Sequence, residues 1–329
     1  MGIVWNEISE KSQGGTELMC RRIEQLDKKL LKDFQIFPSR VMSDLDETKI
    51  RILYCHDLPG DPSSDLLRDG GWDKFHKIVF VSNWQMQGYI NFYKIPWSHC
   101  IVLANAIDPL DPPFDKPTDK IKLIYHTTPH RGLNILVPVF KKLCENFDDL
   151  ELDVYSSFSL YGWEDRDKEF APLIEECKKD PKINYFGVIT NEEVREAVKK
   201  AHIFAYPSTW PETSCLSLME AMSGLNLCVH SNYGALHETA GQWTHMYHYN
   251  ENMQEHAKVF YTVLTNAIED IKSNRTEVFN RLQTQKAYAD IFYNWKGRAL
   301  QWQALLLLLQ ETVKDRSFPK EMFSYSTGG

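Results

Sequence analysis

Residues 206–224 read YPSTWPETSCLSLMEAMSG, and the spacing inside this stretch decides how the rest of the chain is read. A short apolar run, His202 to Tyr206, leads in and has the character of a buried strand. A Pro-bounded turn follows, Pro207 to Pro211, and Glu212 stands just before the polar triplet Thr213, Ser214 and Cys215. Leu216, Leu218, Met219 and Met222 then carry a helical spacing that Gly224 closes. With a helix start near Ser214, Glu212 lies in the loop before the helix and Glu220 about two turns into it. Between the two carboxylates is a helix N-terminus, whose unpaired N–H groups and positive dipole end suit a phosphate. The same residues also suit a capped amphipathic helix with one solvated glutamate.

Strand–turn–helix units recur on both sides of this stretch. Upstream, Lys122 to Tyr125 reads as a strand, and HTTPHRGLNILVPVFKKL takes Arg131 and Gly132 into a helix with Leu133, Leu136, Val137, Phe140 and Leu143 on its apolar face. An Arg at a strand-to-helix turn can grip a diphosphate through its planar fork. Leu152 to Tyr155 and Ile183 to Phe186 are further strands, separated by the loop SSFSLYGWEDRD and a helix over Lys168 to Cys177. Thr190 or Asn191 caps NEEVREAVKKA. Downstream, Asn226 to His230 is a strand and NYGALHETAG, Asn232 to Gly241, a loop with a short helix. From His256 the chain is helical, and a last helix carries Tyr293, Trp295, Trp302 and Leu305 to Leu309.

The first hundred residues repeat the alternation. Ile3 to Trp5, Phe34 to Phe37, Ile50 to Tyr54, Lys77 to Val81 and Cys100 to Leu103 read as strands. Gly14, Gly15 and Thr16 head a helical pattern, Ser82 caps another, and His56 with Asp57 follows a strand end, where open α/β sheets place ligand contacts. Pro109 to Pro117 (PLDPPFDKP) reads as an interdomain linker.

Strand, loop, Glu, seven residues, and Glu on a helix resembles the E-x7-E signature of retaining glycosyltransferases of the GT-B fold. The order strand–Ser–helix–IP–strand–NAID over residues 77–108 and the GALHE of residues 234–238 resemble the same family. The family usually shows NGID, and Ala106 replaces that Gly. It usually carries an Arg and a Lys-Gly at the diphosphate. Here His126 takes the Arg position and Arg131 the Lys position, as in a subfamily with an RGL loop. The resemblance implies an α/β GT-B fold, two Rossmann-like doubly wound domains facing a central cleft. Its parts would be 1–108 (an unusually short acceptor domain), a linker 109–120, a nucleotide-sugar domain 121–290, and 291–329 as a helix crossing back to the first domain, with a tail. It implies Glu212 and His56 at the donor sugar, Arg131 and His126 at the diphosphate, and the amides of Ser214, Cys215, Leu216 and Ser217 as the cradle of sugar and phosphate oxygens. Glu220 would take the ribose, Val188 or Ile189 the base, Gly14 and Gly15 the diphosphate and acceptor, with Asn105 counted among the donor contacts. His126 can act there only as a protonated ring or as a neutral donor.

The 329 residues suggest about two domains, and 25% charged with 43% hydrophobic residues is the balance of a globular chain. A net charge of −8 disfavours wholesale binding to nucleic acid. Seven cysteines without a C-x-x-C pair suggest neither a disulfide framework nor a zinc site, and reduced thiols in the cytoplasm are expected. No apolar run approaches a membrane span, the longest being Ala304 to Leu309. No paired aspartates stand at a strand end, so no metal or cofactor is expected beyond a UDP- or GDP-linked sugar donor. The acceptor, whether glycan, lipid-linked or protein, stays open, as does the oligomeric state. Two other function classes compete: a GT-B nucleotide-sugar epimerase, which needs acid/base side chains in both domains, and a nucleotide-sugar-binding relic.

Overall fold

Short apolar runs that alternate with amphipathic segments form parallel strands with helical crossovers, because a strand buried on both faces needs no polar alternation. The computed structural model describes residues 2–5, 12 and 14–313. The tail from Ser317 lies outside them. The chain divides into two compact units, one comprising 1–10, 14–106 and 295–329, the other 11–13 and 107–294.

In the first unit, α1 (Gly15–Ile23) and α2 (Lys28–Leu31) precede β1 (Phe34–Pro38) and β2 (Ile50–Tyr54). β3 (Lys77–Phe80), α3 (Asn83–Tyr93) and β4 (Cys100–Val102) follow. The four strands are parallel and lie in chain order, β1-β2-β3-β4. Ile3 to Trp5 is not a strand of its own: Ile3 makes a single parallel bridge to Ile36 on β1. β1, β2 and β3 are buried throughout. Ser82 accepts from the Gln85 amide and so starts α3 as its sequence position requires. Residues 62–74 form 3-10 turns that no periodicity announces.

The second unit contains β5 (Ile121–Tyr125), α4 (Leu133–Leu143), β6 (Leu150–Val154), α5 (Ala171–Lys179) and β7 (Ile183–Tyr185). It continues through α6 (Asn191–Lys200), β8 (Ile203–Tyr206), α7 (Leu216–Ser223), β9 (Leu227–Ser231), α8 (Leu236–Ala240), β10 (His245–Tyr247) and the long α9 (Met253–Phe292). All its strand pairs are parallel, in the order β10-β9-β8-β5-β6-β7. β10 has only three residues and no apolar alternation, so the sequence does not show it. The helix expected over Lys168 to Cys177 is split into a 3-10 stretch at Glu164–Phe170 and α5. The capping box at Thr190 is complete, with Glu193 answering the Thr190 amide. Tyr293 is not part of the last helix. It ends α9, and α10 begins at Trp295 and runs to Thr312.

The proline-rich segment after Asp108 is fastened rather than free. The Leu110 amide donates to Ser223 Oγ at 2.8 Å, and the Lys116 ammonium donates to the carbonyls of Ala201 and, at 3.1 Å, Gly224. α10 packs its Trp302 edge-on against Tyr54 of β2, ring centroids 5.0 Å apart, which gives the first unit its own C-terminal helix. Among the described residues no helix is long and apolar enough to cross a membrane.

Candidate functional site

The strand order of the second sheet reverses between β5 and β8. Connections leaving the C-terminal ends of those strands turn to opposite sides, and the crevice between them is where open α/β sheets bind ligands. Residues 126–132 leave β5 and residues 207–215 leave β8, so the topology brings the arginine turn and the E-x7-E loop together.

Backbone contact seals the two loops. Gly132 has φ +118°, and a Cβ there would lie 2.2 Å from the Pro207 carbonyl oxygen. Thr209 Oγ1 donates to the His130 carbonyl at 3.2 Å, and Ser217 Oγ to the His126 carbonyl at 2.9 Å. A third loop joins from β9. Gly234, at φ +68°, lies so close that a Cβ would come within 2.5 Å of the Glu212 backbone nitrogen and oxygen, and the Ala235 amide donates to the Glu212 carbonyl at 2.6 Å.

At the centre Arg131 Nη1 donates to Glu212 Oε1 at 2.6 Å. The Tyr206 hydroxyl donates to the same oxygen. The carboxylate side chain is 5% exposed and that of Arg131 21%. Burial acts to lower the Arg131 pKa, but Glu212, together with Tyr161, Tyr206 and Cys215 behind it, outweighs burial and holds the guanidinium above its ordinary value. Burial, then Glu212, pushes the Tyr206 phenol well up, so it stays a donor. Arg131 also lies over the Trp210 ring at 6.0 Å.

Around this pair are buried polar atoms with no partner among the described residues: both ring nitrogens of His126, Thr128 Oγ1, Arg131 Nε and Ser156 Oγ. They come from the loops after the neighbouring strands β5 and β6. A buried polar atom left alone costs about 1–3 kcal/mol, so a group of them at the C-terminal end of the sheet points to a polar ligand or to water. α7 adds amides. Its N-cap, Cys215, is extended, and no side chain caps the helix.

The second glutamate is also paired. Arg195 Nη1 of α6 donates to Glu220 Oε1 at 3.0 Å, and Arg195 Nη2 donates to the Asp108 carbonyl at 2.8 Å.

A family model, "Glycosyl transferases group 1", matches residues 110–277, which span every strand and loop just described. The chain belongs to this family. No protein of curated function matches it in sequence. Among solved structures, it is similar to a glycosyltransferase from Rickettsia africae ESF-5 (TM-score 0.66, 16% identity, 94% of this chain and 85% of that one). It is also similar to a sucrose-phosphate synthase from Thermosynechococcus elongatus (0.62, 15%, 85% and 74%). A third is Anabaena Alr3699/HepE, solved with UDP-glucose (0.62, 15%, 84% and 79%). These likenesses establish the GT-B fold for this group 1 chain.

As a group 1 glycosyltransferase it performs glycosyl transfer, and its candidates divide by unit. Glu212, Arg131, His126, Ser214 to Ser217, Glu220 and Val188 belong to the second unit. Gly14, Gly15, His56 and Asn105 belong to the first. Of the two forms open to His126, the neutral donor is the one that fits, since burial pushes its pKa down to about 4. The Cys215 thiol stays protonated, because burial first and then Glu212 hold it well above the ordinary value. Val188 is half-buried just past Gly187, which has φ +68°.

In the first unit, Asn105 is buried and its Oδ1 accepts from the Tyr54 hydroxyl at 3.2 Å, so its carbonyl end is used inside that unit. His56 lies edge-on to Tyr54 at 4.2 Å, and burial pushes its pKa down to about 3. It is a neutral ring at physiological pH. Gly14 is extended at φ −66°, and α1 starts at Gly15.

Two contacts at these glutamates have no counterpart in the sequence reading: Tyr206, read as a strand end, and Arg195, inside the capped helix NEEVREAVKKA. The only available signals were a phenol at a strand end and an arginine one turn into a capped helix. Among the described residues no cluster of His, Cys, Asp and Glu could hold a metal ion.

Proposed function

We propose that this chain transfers a sugar from a UDP- or GDP-linked donor to a hydroxyl acceptor with retention at the anomeric carbon. The observation that carries this reading is the Arg131–Glu212 pair at the strand-order reversal, set among unpartnered polar atoms and an uncapped helix start. Arg131 and the amides at Leu216 and Ser217 face the charge that grows on the leaving phosphate. Ser214 and Cys215 extend the same cradle. Glu220 takes the ribose hydroxyls, Glu212 a hydroxyl of the sugar, and neutral His126 donates to a phosphate or sugar oxygen. Val188 borders the base. Gly14, Gly15, His56 and Asn105 keep the roles the resemblance gives them.

In the transfer, the bond from the anomeric carbon to phosphate oxygen breaks and the acceptor oxygen bonds that carbon from the same face. The acceptor proton passes to the departing phosphate oxygen. No side-chain nucleophile is required: the two glutamates lie apart, each paired with its own arginine. No metal is assigned, since Arg131 and the amides supply the positive field. UDP-glucose in the Anabaena neighbour supports a uridine donor. A cytoplasmic location, with a glycan, lipid-linked or protein acceptor, fits the charge and cysteine content.

Calorimetry with UDP and GDP, followed by incubation with radiolabelled UDP-glucose, tests the reading. One nucleotide should bind, Arg131→Met and Glu220→Ala should each weaken it about tenfold or more, and labelled sugar should be transferred or slowly hydrolysed. Equal affinity in both variants would overturn it.

A further inference from the structure

We propose that the outer face of α10 joins two copies of this chain into an antiparallel, two-fold dimer. The inference rests on this helix and is independent of the donor assignment above. Leu305 to Leu309 are five consecutive leucines, and a helix turns by about 100° per residue, so they cannot share one face. Leu305, Leu306 and Leu309 are buried with Trp302, while Leu307 and Leu308 stay 52% and 40% exposed. Leu300, at 67%, stands on the same outer side. A surface helix with one buried stripe ordinarily turns polar residues outward. Neighbouring exposed leucines on one face instead mark an interaction surface.

The inner face is fastened, so the outer one is presented in a fixed orientation. Trp302 packs on Tyr54, and Gln310 Nε2 donates to Asp33 Oδ2 at 2.7 Å. Around the helix, Lys296, Leu300, Leu307 and Glu311 fall within about 60° of one another, with Ala304 and Leu308 beside them. Lys296, Ala304 and Glu311 are all exposed.

The face is complementary to itself. Ala304 is eight residues after Lys296 and seven before Glu311, which makes it the midpoint. An antiparallel pair with its two-fold axis at Ala304 sets each Leu300 level with the partner's Leu308. It also brings each Lys296 within about 1.5 Å, along the helix axis, of the level of the partner's Glu311. The small side chain of Ala304 at the crossing lets the helices approach to the usual ~8–10 Å. A parallel pair would oppose like charges at both ends and align the two helix dipoles, so the antiparallel sense is selected. Charge also selects the occupant. The face is balanced, Lys296 against Glu311, and the chain carries −8, so an anionic bilayer is not attracted. A single helix face is smaller than the ~1,600 Å² of a standard interface, so the dimer is reversible, with a dissociation constant on the order of 10 μM.

Sedimentation velocity on the full chain from ~1 to ~300 μM brackets that constant and should show a monomer–dimer equilibrium. Leu307→Glu, with folding checked by thermal melting, should weaken it about tenfold or more and leave UDP calorimetry unchanged. Lys296→Glu and Glu311→Lys should each weaken the dimer, and the double variant, which restores opposite charges across the axis, should recover it. Ala304→Cys places a thiol at the axis. Under glutathione disulfide it should give a covalent dimer on a non-reducing gel that the parent, whose cysteines are buried or half-buried, does not give. These variants test the face even where Leu307→Glu fails to fold. A parent that stays monomeric over the whole range overturns the proposal, and binding of that monomer to phosphatidylglycerol vesicles through Leu307 would reassign the face to a membrane. A dimer that is indifferent to Glu311→Lys and is not cross-linked through Ala304→Cys forms elsewhere and overturns it as well.

Discussion

Replacing Glu212 by glutamine removes one charge and almost no volume, and the structure sets the sign of two separate effects. The first is on stability. Removing one partner of a buried ion pair costs about 3–5 kcal/mol. Arg131 is 21% exposed and glutamine still accepts through its Oε1, so the expected loss here is roughly 1.5–3 kcal/mol. For a domain of ~150–250 residues that lowers the melting temperature by about 3–12 °C. The second effect is on ligand affinity and has the opposite sense. A carboxylate held 2.6 Å from the guanidinium cancels much of the positive field an incoming diphosphate would meet. Two unit charges ~7 Å apart at an effective dielectric near 20 interact by about 2 kcal/mol, and screening leaves about 1. Glu212→Gln should therefore bind UDP about fivefold more tightly while being less stable.

Urea denaturation gives the first quantity and calorimetry at two salt concentrations the second, with the affinity gain shrinking at high salt. Arg131→Met should lose UDP affinity. The double variant should show a coupling of about 1.5–3 kcal/mol in the stability cycle. If Glu212→Gln binds UDP no better than the parent and Arg131→Met binds it equally well, the pair is a structural strut and the phosphate site lies elsewhere.

Three further outcomes follow from single contacts. Gly132→Ala places a Cβ 2.2 Å from the Pro207 carbonyl at a positive φ, and should cost about 2–4 kcal/mol by urea melting or prevent folding, whereas Gly162→Ala, with open space around it, should cost about 1 kcal/mol. Tyr206→Phe removes one donor from Glu212 and should cost about 1–1.5 kcal/mol while lowering the transfer rate more than UDP affinity, so an unchanged rate would remove Tyr206 as the orienting group. Burial pushes Lys116 from 10.5 down to about 7, so between those values the unfolded chain binds the extra proton. Stability relative to Lys116→Met should then rise with pH from about 7 towards 10, by up to about 1.4 kcal/mol per unit, and level off below 7. A flat difference would mean that the ammonium is retained through its contacts with the Ala201 and Gly224 carbonyls.

What the sequence made legible depends on how local the cause is. β5 and β8 are readable because a strand covered on both faces is a mostly apolar run, broken only by Lys122 in β5. The Glu212–Glu220 spacing is readable because a strand end, a proline turn and a helix phase fix both carboxylates within nine residues. β10 was not readable, since three residues give no period and its pairing with β9 is decided by the sheet. Lys116 read as linker because its partners are 85 and 108 residues away.

The two arginines that answer the two glutamates show where local reading stops and topology takes over. Arg131 is 81 residues before Glu212, and nothing in either segment selects the other. They meet because β5 and β8 are neighbours in the sheet, so the loops at their C-terminal ends leave from adjacent points and the missing Cβ of Gly132 lets those loops touch. Arg195 reaches Glu220 from the helix immediately before β8, which returns alongside α7, and its second nitrogen holds the Asp108 carbonyl where the chain enters the second unit. A ligand that took Glu220 for its own hydroxyls would compete with Arg195 for that carboxylate. Arg195→Met should therefore strengthen rather than weaken nucleoside binding, by about two- to fivefold in calorimetry, if the ribose contact is made at Glu220. A loss of affinity in that variant would show instead that the Arg195–Glu220 pair has to stay intact when the nucleotide is bound.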